Sequence, residues 1–196
     1  MIKKVPKNKR TGGDGIKVQR ANWKFSGSTV NKFDKHILKS VPLYSEGHTI
    51  VCKLSDFFLS DKSLCYEIGC STGSLTKKIA KHNSHKKVKI IGLDVEKDMI
   101  SKAKKINKDI KIKYLCKNIL KSELEPCDLV ISYYTAQFIK PKSRQLFFNK
   151  IYKSLNWGGA LIIFEKIRAP DARFQDIYSN LYNDFKIDNG YSHEEI

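Results

Sequence analysis

An α/β fold, a doubly wound parallel sheet with helices on both faces, is what this sequence predicts, and three observations predict it. Short apolar runs, Leu64 to Ile68, Val88 to Asp94 and Cys127 to Tyr133, alternate with stretches of helical periodicity. The first run ends in a glycine turn, Gly69-x-x-x-Gly73, that opens directly into a helix near Ser74. The second ends in a carboxylate, Asp94, somewhat more than about 20 residues after that turn, where such folds bind ribose hydroxyls. Runs without polar alternation suit strands buried on both faces of a parallel sheet. With right-handed crossovers the expected strand order is 3-2-1-4-5.

Taken in order, Met1 to Arg20 carries Lys3, Lys4, Lys7, Lys9, Arg10, Lys17 and Arg20 among glycines, with little that is apolar. Residues 1–22 therefore read as a flexible basic arm, and 23–196 as one domain. Val30, Phe33 and Ile37 recur at helical spacing before Pro42 breaks the chain ahead of Tyr44. Ile50, Val51, Leu54, Phe57 and Phe58 mark an amphipathic helix leading into the first strand. A helix from Ser74 to Lys81 follows the glycine turn. Met99, Ile100, Ala103 and Ile106 mark the next, before a third strand, Lys111 to Cys116. After the fourth strand, Cys127 to Tyr133, Pro141 starts a helix with Leu146, Phe147, Ile151 and Leu155 on its buried face. Gly158-Gly159 is expected to end it, and Ala160 to Phe164 to form the fifth strand. Pro170-Asp171 opens a last helix bearing a stripe of Phe174, Ile177, Tyr178, Leu181, Tyr182 and Phe185. That stripe serves either its own domain or a homodimer face.

The chemistry concentrates at the strand tips. Gly69 and Gly73 let backbone approach a ligand, and the helix after them aims free amides and a positive dipole end into the same space. The spacing departs from G-x-G-x-x-G, which disfavours a pyrophosphate; the plain alternative is a βα turn with no ligand at all. Glu67, Asp94 and Asn118 stand at three successive tips. A carboxylate for an ammonium group, another for ribose and an amide for adenine suit a nucleoside that carries an amino acid. Tyr133 to Gln137 should form the floor of that crevice.

With 37 Lys and Arg against 20 Asp and Glu, the net charge of +17 favours a polyanion such as RNA, or else reflects solvated lysine faces. Cys52, Cys65, Cys70, Cys116 and Cys127 include no C-x-x-C pair, and no apolar stretch is long enough for a signal peptide or membrane span. A cytoplasmic protein with unpaired thiols and no membrane partner is the expectation. Cys70 reads as buried filler before nucleophile. His82 and His85 lack metal-ligand spacing, so no metal is expected.

The segments Phe33-Asp34, Ser40-Val-Pro-Leu-Tyr44, Glu67-Ile-Gly-Cys-Ser71, Gln137-Phe138, Arg144-Gln145, Glu165-Lys166, Asp184-Phe-Lys186 and Asn189-Gly-Tyr-Ser192, with Trp23-Lys-Phe25, carry a resemblance. The chain resembles the class I S-adenosylmethionine-dependent methyltransferases, with their Rossmann-like sheet. Within them it is most similar to the carboxy-S-adenosylmethionine synthases of the tRNA wobble-uridine 5-oxyacetic acid pathway. The resemblance implies S-adenosyl-L-methionine, its homocysteine product or the carboxylated donor as cofactor, and tRNA modification as context. It implies cofactor contacts from Tyr44, Glu67, Gly69, Cys70, Ser71, Gly73, Asp94, Val95, Asn118, Ile119 and Tyr133. Three positions depart from the family pattern. Val95 and Tyr133 stand where it usually has Asn, and Asn118 where it has Asp. The family also continues past Tyr191-Ser192 into further strands and an arginine for the added carboxylate, so C-terminal strands are expected to be missing here. On these grounds methyl transfer ranks narrowly above carboxy-S-adenosylmethionine synthesis from prephenate. A non-catalytic cofactor- or RNA-binding module is the third reading. No catalytic dyad is named, because transfer from a sulfonium needs alignment more than proton chemistry.

Overall fold

The computed structural model describes residues 27–108 and 111–196. The basic arm and Trp23-Lys-Phe25 lie outside the described residues. Two units are distinguished, Leu43–Ile167 and a second made of residues 27–42 with 168–196.

The first unit holds the sheet. Strands β1 (Leu64–Ile68), β2 (Lys89–Asp94), β3 (Lys113–Cys116), β4 (Cys127–Tyr133) and β5 (Leu155–Phe164) are parallel and lie in the order β3-β2-β1-β4-β5. The expected topology is therefore the observed one. Helices α2 (Tyr44–Ser55), α3 (Ser74–His82), α4 (Lys97–Ile106) and α5 (Pro141–Ser154) connect them. Alternate strand residues face two cores. Cys65, Ile90, Leu129, Ile131 and Tyr133 pack with Val51, Cys52, Leu75 and Ile79 from α2 and α3. Leu64, Tyr66, Ile91, Leu93 and Val130 pack with Phe147 and Ile151 of α5 on the other face.

Two element assignments change. Gly158-Gly159 does not end α5, which stops at Ser154; β5 begins at Leu155 and runs through both glycines. The register slips between Cys127 and Leu129, and a Cβ on Gly159 would stand 3.0 Å from the Asp128 carbonyl oxygen. The pair is a bulge against a neighbouring backbone, with Gly158 at φ 80°. The buried side of α2 is also displaced: it is Gly47, His48, Val51, Cys52 and Ser55, while Phe57 lies beyond the helix and is 82% exposed. Polar anchoring explains the rotation. Asn83 at the end of α3 donates to Ser55 Oγ at 2.9 Å, drawing a serine inward where periodicity alone points to Leu54.

In the second unit, α1 (Ser28–Ser40) buries Val30, Phe33 and His36, and α6 (Ala172–Asp188) starts from an Asp171 cap that accepts from the Phe174 amide at 2.9 Å. The two helices meet through Tyr182, whose hydroxyl donates to the Ser40 carbonyl at 2.9 Å. Tyr191 beyond α6 lies 3.1 Å from His36 Nδ1. The expected aromatic stripe divides: Tyr182 and Phe185 are half-buried, but Phe174, Tyr178 and Leu181 are exposed.

Phe147 is fully buried at the centre of the α5 face. Phe147→Ala should lower unfolding free energy by about 3 to 5 kcal/mol in denaturant titrations. A loss below about 1 kcal/mol would mean that α5 is not packed on the sheet as described.

Candidate functional site

The glycine turn lies where β1 ends. Gly69 N–H and Cys70 N–H both donate to the Leu93 carbonyl, at 2.7 and 2.9 Å, so the turn is bound to the neighbouring strand as it leaves the sheet. Gly69, Ser71 and Gly73 have φ of 76°, 49° and 77°. Glycine is required at 69 for a second reason, since a Cβ there would collide with the Thr135 side chain. No side chain caps α3, and its first-turn amides open onto the turn.

Asp94 closes the other side. Its Oδ2 accepts the Ser71 amide and its Oδ1 the Glu96 amide, each at 2.8 Å. Burial pushes its carboxyl pKa up, and backbone N–H groups of Glu96, Ser71 and Val95 pull it back. Each oxygen retains a lone-pair direction for a hydroxyl donor. Glu67, the penultimate residue of β1 before the glycines, is buried. Thr76 Oγ1 donates to its Oε2. Burial, with a smaller contribution from Asp94, raises its pKa to about 8 against the pull of Thr76.

The third tip is joined to the second where Lys117 N–H donates to the Asp94 carbonyl at 2.9 Å. Asn118 is exposed and begins the 3-10 turn Ile119–Lys121, its Oδ1 accepting the Leu120 amide at 2.9 Å. Ile119 is buried in the α5-side core, while Val95 is 59% exposed beside Asp94. Cys70 is buried, and burial pushes its thiol well up, which suits filler and not a nucleophile.

Tyr44 and Tyr133 belong to a separate aromatic group. The Tyr133 hydroxyl donates to the Tyr44 carbonyl at 2.8 Å, and its ring meets those of Tyr44, His48, Tyr134 and Phe164. Thus Tyr133 packs between α2 and the tips of β4 and β5, its phenol already engaged. Tyr134 and Thr135 belong to the stretch expected to floor the crevice, but their partners were not foreseen: Tyr134 is held at φ 52° and stacked on Tyr44, and Thr135 lies over Gly69. Glu165, part of a segment that carries the resemblance but given no role on sequence grounds, accepts the Ala136 amide at 2.6 Å at the tip of β5. Among the described residues no His, Cys, Asp and Glu cluster could hold a metal, and no helix is long and apolar enough to cross a membrane.

The donor set fits S-adenosylmethionine: an uncapped helix start for a carboxylate, a buried acid for ribose, and the exposed Val95 and Asn118 for a purine. A raised acid pKa favours the neutral folded form, a gain complete below the ordinary 4.5 and lost as pH climbs through about 8. The wild type should therefore lose melting temperature between about pH 5 and 8 more steeply than Glu67→Gln. Parallel melting curves for the two would show that Glu67 does not carry this burden.

Comparison with known proteins agrees with this geometry. A family model described as a methyltransferase domain matches residues 66–159. The carboxy-S-adenosyl-L-methionine synthase of Histophilus somni is 35% identical over 176 residues, covering 88% of this chain and 73% of its own. That of Staphylococcus epidermidis is 34% identical over 178 residues, covering 89% and 76%. Among solved structures, the plantazolicin methyltransferase BpumL in complex with SAH shares the fold with a TM-score of 0.63 at 18% identity, over 87% of this chain and 62% of its own. The chain is an S-adenosyl-L-methionine-dependent transferase and belongs to the carboxy-S-adenosyl-L-methionine synthase family of the methyltransferase fold.

Proposed function

We propose that this transferase makes carboxy-S-adenosyl-L-methionine, moving a carboxyl group from prephenate onto the methyl carbon of S-adenosyl-L-methionine, in the cytoplasm and in the service of tRNA wobble-uridine modification. The observation that carries the donor site is the clamp of Ser71 and Glu96 amides on buried Asp94, which holds the glycine turn against the tip of β2. The names of the relatives favour the carboxylated product, the alternative that ranked second on sequence grounds. When bound, S-adenosyl-L-methionine supplies a methyl carbon acidified by its sulfonium: one C–H bond breaks as the bond to the carboxyl carbon forms, the sulfonium stays in the product, and prephenate gives up its carboxyl group and its hydroxyl, which leaves with the methyl proton as water, to become phenylpyruvate. The protein's own part is positioning. Asp94 receives the ribose, the start of α3 the amino-acid carboxylate, and Asn118 the adenine edge through the second lone pair of its Oδ1. A net charge of +17 supports contact with tRNA as part of the same reading.

Methyl transfer is the second reading, and Tyr133 favours it. This residue replaces a family Asn and spends its hydroxyl on the Tyr44 carbonyl, so it offers nothing to an added carboxylate. Against it stands Arg144 near the start of α5, which gives Nε to the Ile139 carbonyl at 3.1 Å and Nη2 to that of Gln137 at 3.4 Å, and has further N–H groups.

Incubation with S-adenosylmethionine and prephenate, followed by mass spectrometry of the extracted ligand, should yield the carboxylated donor. Recovery of unmodified S-adenosylmethionine alone would overturn the synthase reading. Asp94→Ala should weaken calorimetric S-adenosylhomocysteine affinity by about one to two decades, and unchanged affinity would remove Asp94 from the site.

A further inference from the structure

We propose that Tyr114 is a positioning residue of the donor site, a strut that with Asn107 fixes the turn from Cys70 to Thr76 beneath the ligand; the inference rests on the donor-site reading above. Tyr114 lies on β3, on the sheet face that it shares with Gly92 and Glu67. Its hydroxyl donates to the Gly73 carbonyl at 3.4 Å and accepts from Asn107 Nδ2 at 3.2 Å. Asn107, the residue that ends α4, also directs Nδ2 to the Ala103 carbonyl at 2.9 Å and the Thr72 carbonyl at 3.4 Å. Two consecutive carbonyls of the turn are therefore held by side chains that belong to neither β1 nor α3.

Holding those carbonyls determines where the turn's amides point. In a planar trans peptide the N–H is opposed to the preceding C=O, so fixing the Gly73 carbonyl aims the Ser74 amide the other way, away from Tyr114. Fixing the Thr72 carbonyl does the same for Gly73 N–H, which reaches the Cys70 carbonyl at 2.8 Å. The ring occupies room that two glycines leave. A Cβ on Gly73 would stand 2.7 Å from Tyr114 Cζ, and one on Gly92 2.8 Å from its Cδ1. Cys70, Ile100 and Ala103 close the packing around it. The phenol also neighbours the Thr76 hydroxyl, the donor to Glu67, so the strut ends at the buried acid of β1.

Tyr114→Phe keeps the ring and removes both hydrogen bonds; Asn107→Ala removes the strut from its other end. Amide hydrogen exchange in the ligand-free proteins should quicken about ten-fold across residues 70–76 with β1 and β4 unchanged. S-adenosylhomocysteine should bind about three- to ten-fold more weakly. The pH at which affinity changes should move upward in Tyr114→Phe, because the Thr76 hydroxyl that donates to Glu67 loses the phenol beside it. Wild-type exchange, affinity and pH profile in both variants would overturn the strut while leaving the donor site in place. Failure of the wild type itself to bind S-adenosylhomocysteine would overturn the donor-site reading, and the positioning role with it.

Discussion

Asp94 is the constraint on which the rest of the site depends. A carboxylate withdrawn from water is stable only when its oxygens are satisfied, and here two backbone amides, from Ser71 and Glu96, satisfy them. Charge-assisted bonds to backbone are worth roughly 1.5 to 3 kcal/mol each, more than an ordinary hydrogen bond. They offset the burial only in part, and they have a second effect. Ser71 sits at φ 49°, a conformation that a non-glycine residue holds only when its surroundings demand it, and the bond to Asp94 is that demand. One acid thus sets the shape of the turn, and its position is fixed before any ligand arrives.

Beneath the turn is a layer of polar groups unusual for the centre of a sheet. Glu67, Thr76, Tyr114 and Asn107 are all buried, and Asn107 Oδ1 has no hydrogen-bond partner among the described residues. An orphaned carbonyl oxygen costs about 1 to 3 kcal/mol, so a core selected for stability alone would be apolar here. Its amide nitrogen, by contrast, serves three acceptors. The arrangement exchanges stability for a fixed backbone in the one segment whose amides are needed. The hydrophobic faces of Cys65, Leu129 and Ile131 on one side and Phe147 and Ile151 on the other supply the stability that this layer gives up.

How far the sequence foretold this depends on the physics of each element. Strands β1 and β4 were legible to the residue because a strand buried on both faces is a bare apolar run, and Gly69, Gly73 and Asp94 were legible because turn geometry admits few residue types. Boundaries failed where a polar contact overrode periodicity, as when Ser55 turned α2 through its bond to Asn83. Gly158-Gly159 failed for another reason: glycines end helices and make bulges with equal ease, and only the register against β4 decides between them. Tyr114 had no signature at all, and for Thr135 in the expected floor and Glu165 in a resemblance segment nothing in the sequence said what the side chain would touch. Each acts on a turn distant in sequence, by contacts that exist only once the sheet has formed.

Tyr133 shows how a departure from a family pattern can be absorbed. A phenol is far larger than the carboxamide it replaces, and in this chain the additional volume is directed at α2. Room for it comes from Gly47: a Cβ at that position would collide with the Tyr133 hydroxyl and stand 3.1 Å from its Cζ and 3.3 Å from Phe164 Cε1. Glycine inside a helix costs about 1 kcal/mol relative to alanine, so its presence at the fourth residue of α2 requires a reason, and the tyrosine is that reason. The phenol is thereby committed to the packing of Tyr44 and His48. Near the tip of β4 the Tyr134 amide is held by the Phe164 carbonyl and the Ala136 amide by the Glu165 carboxylate, with Thr135 between them.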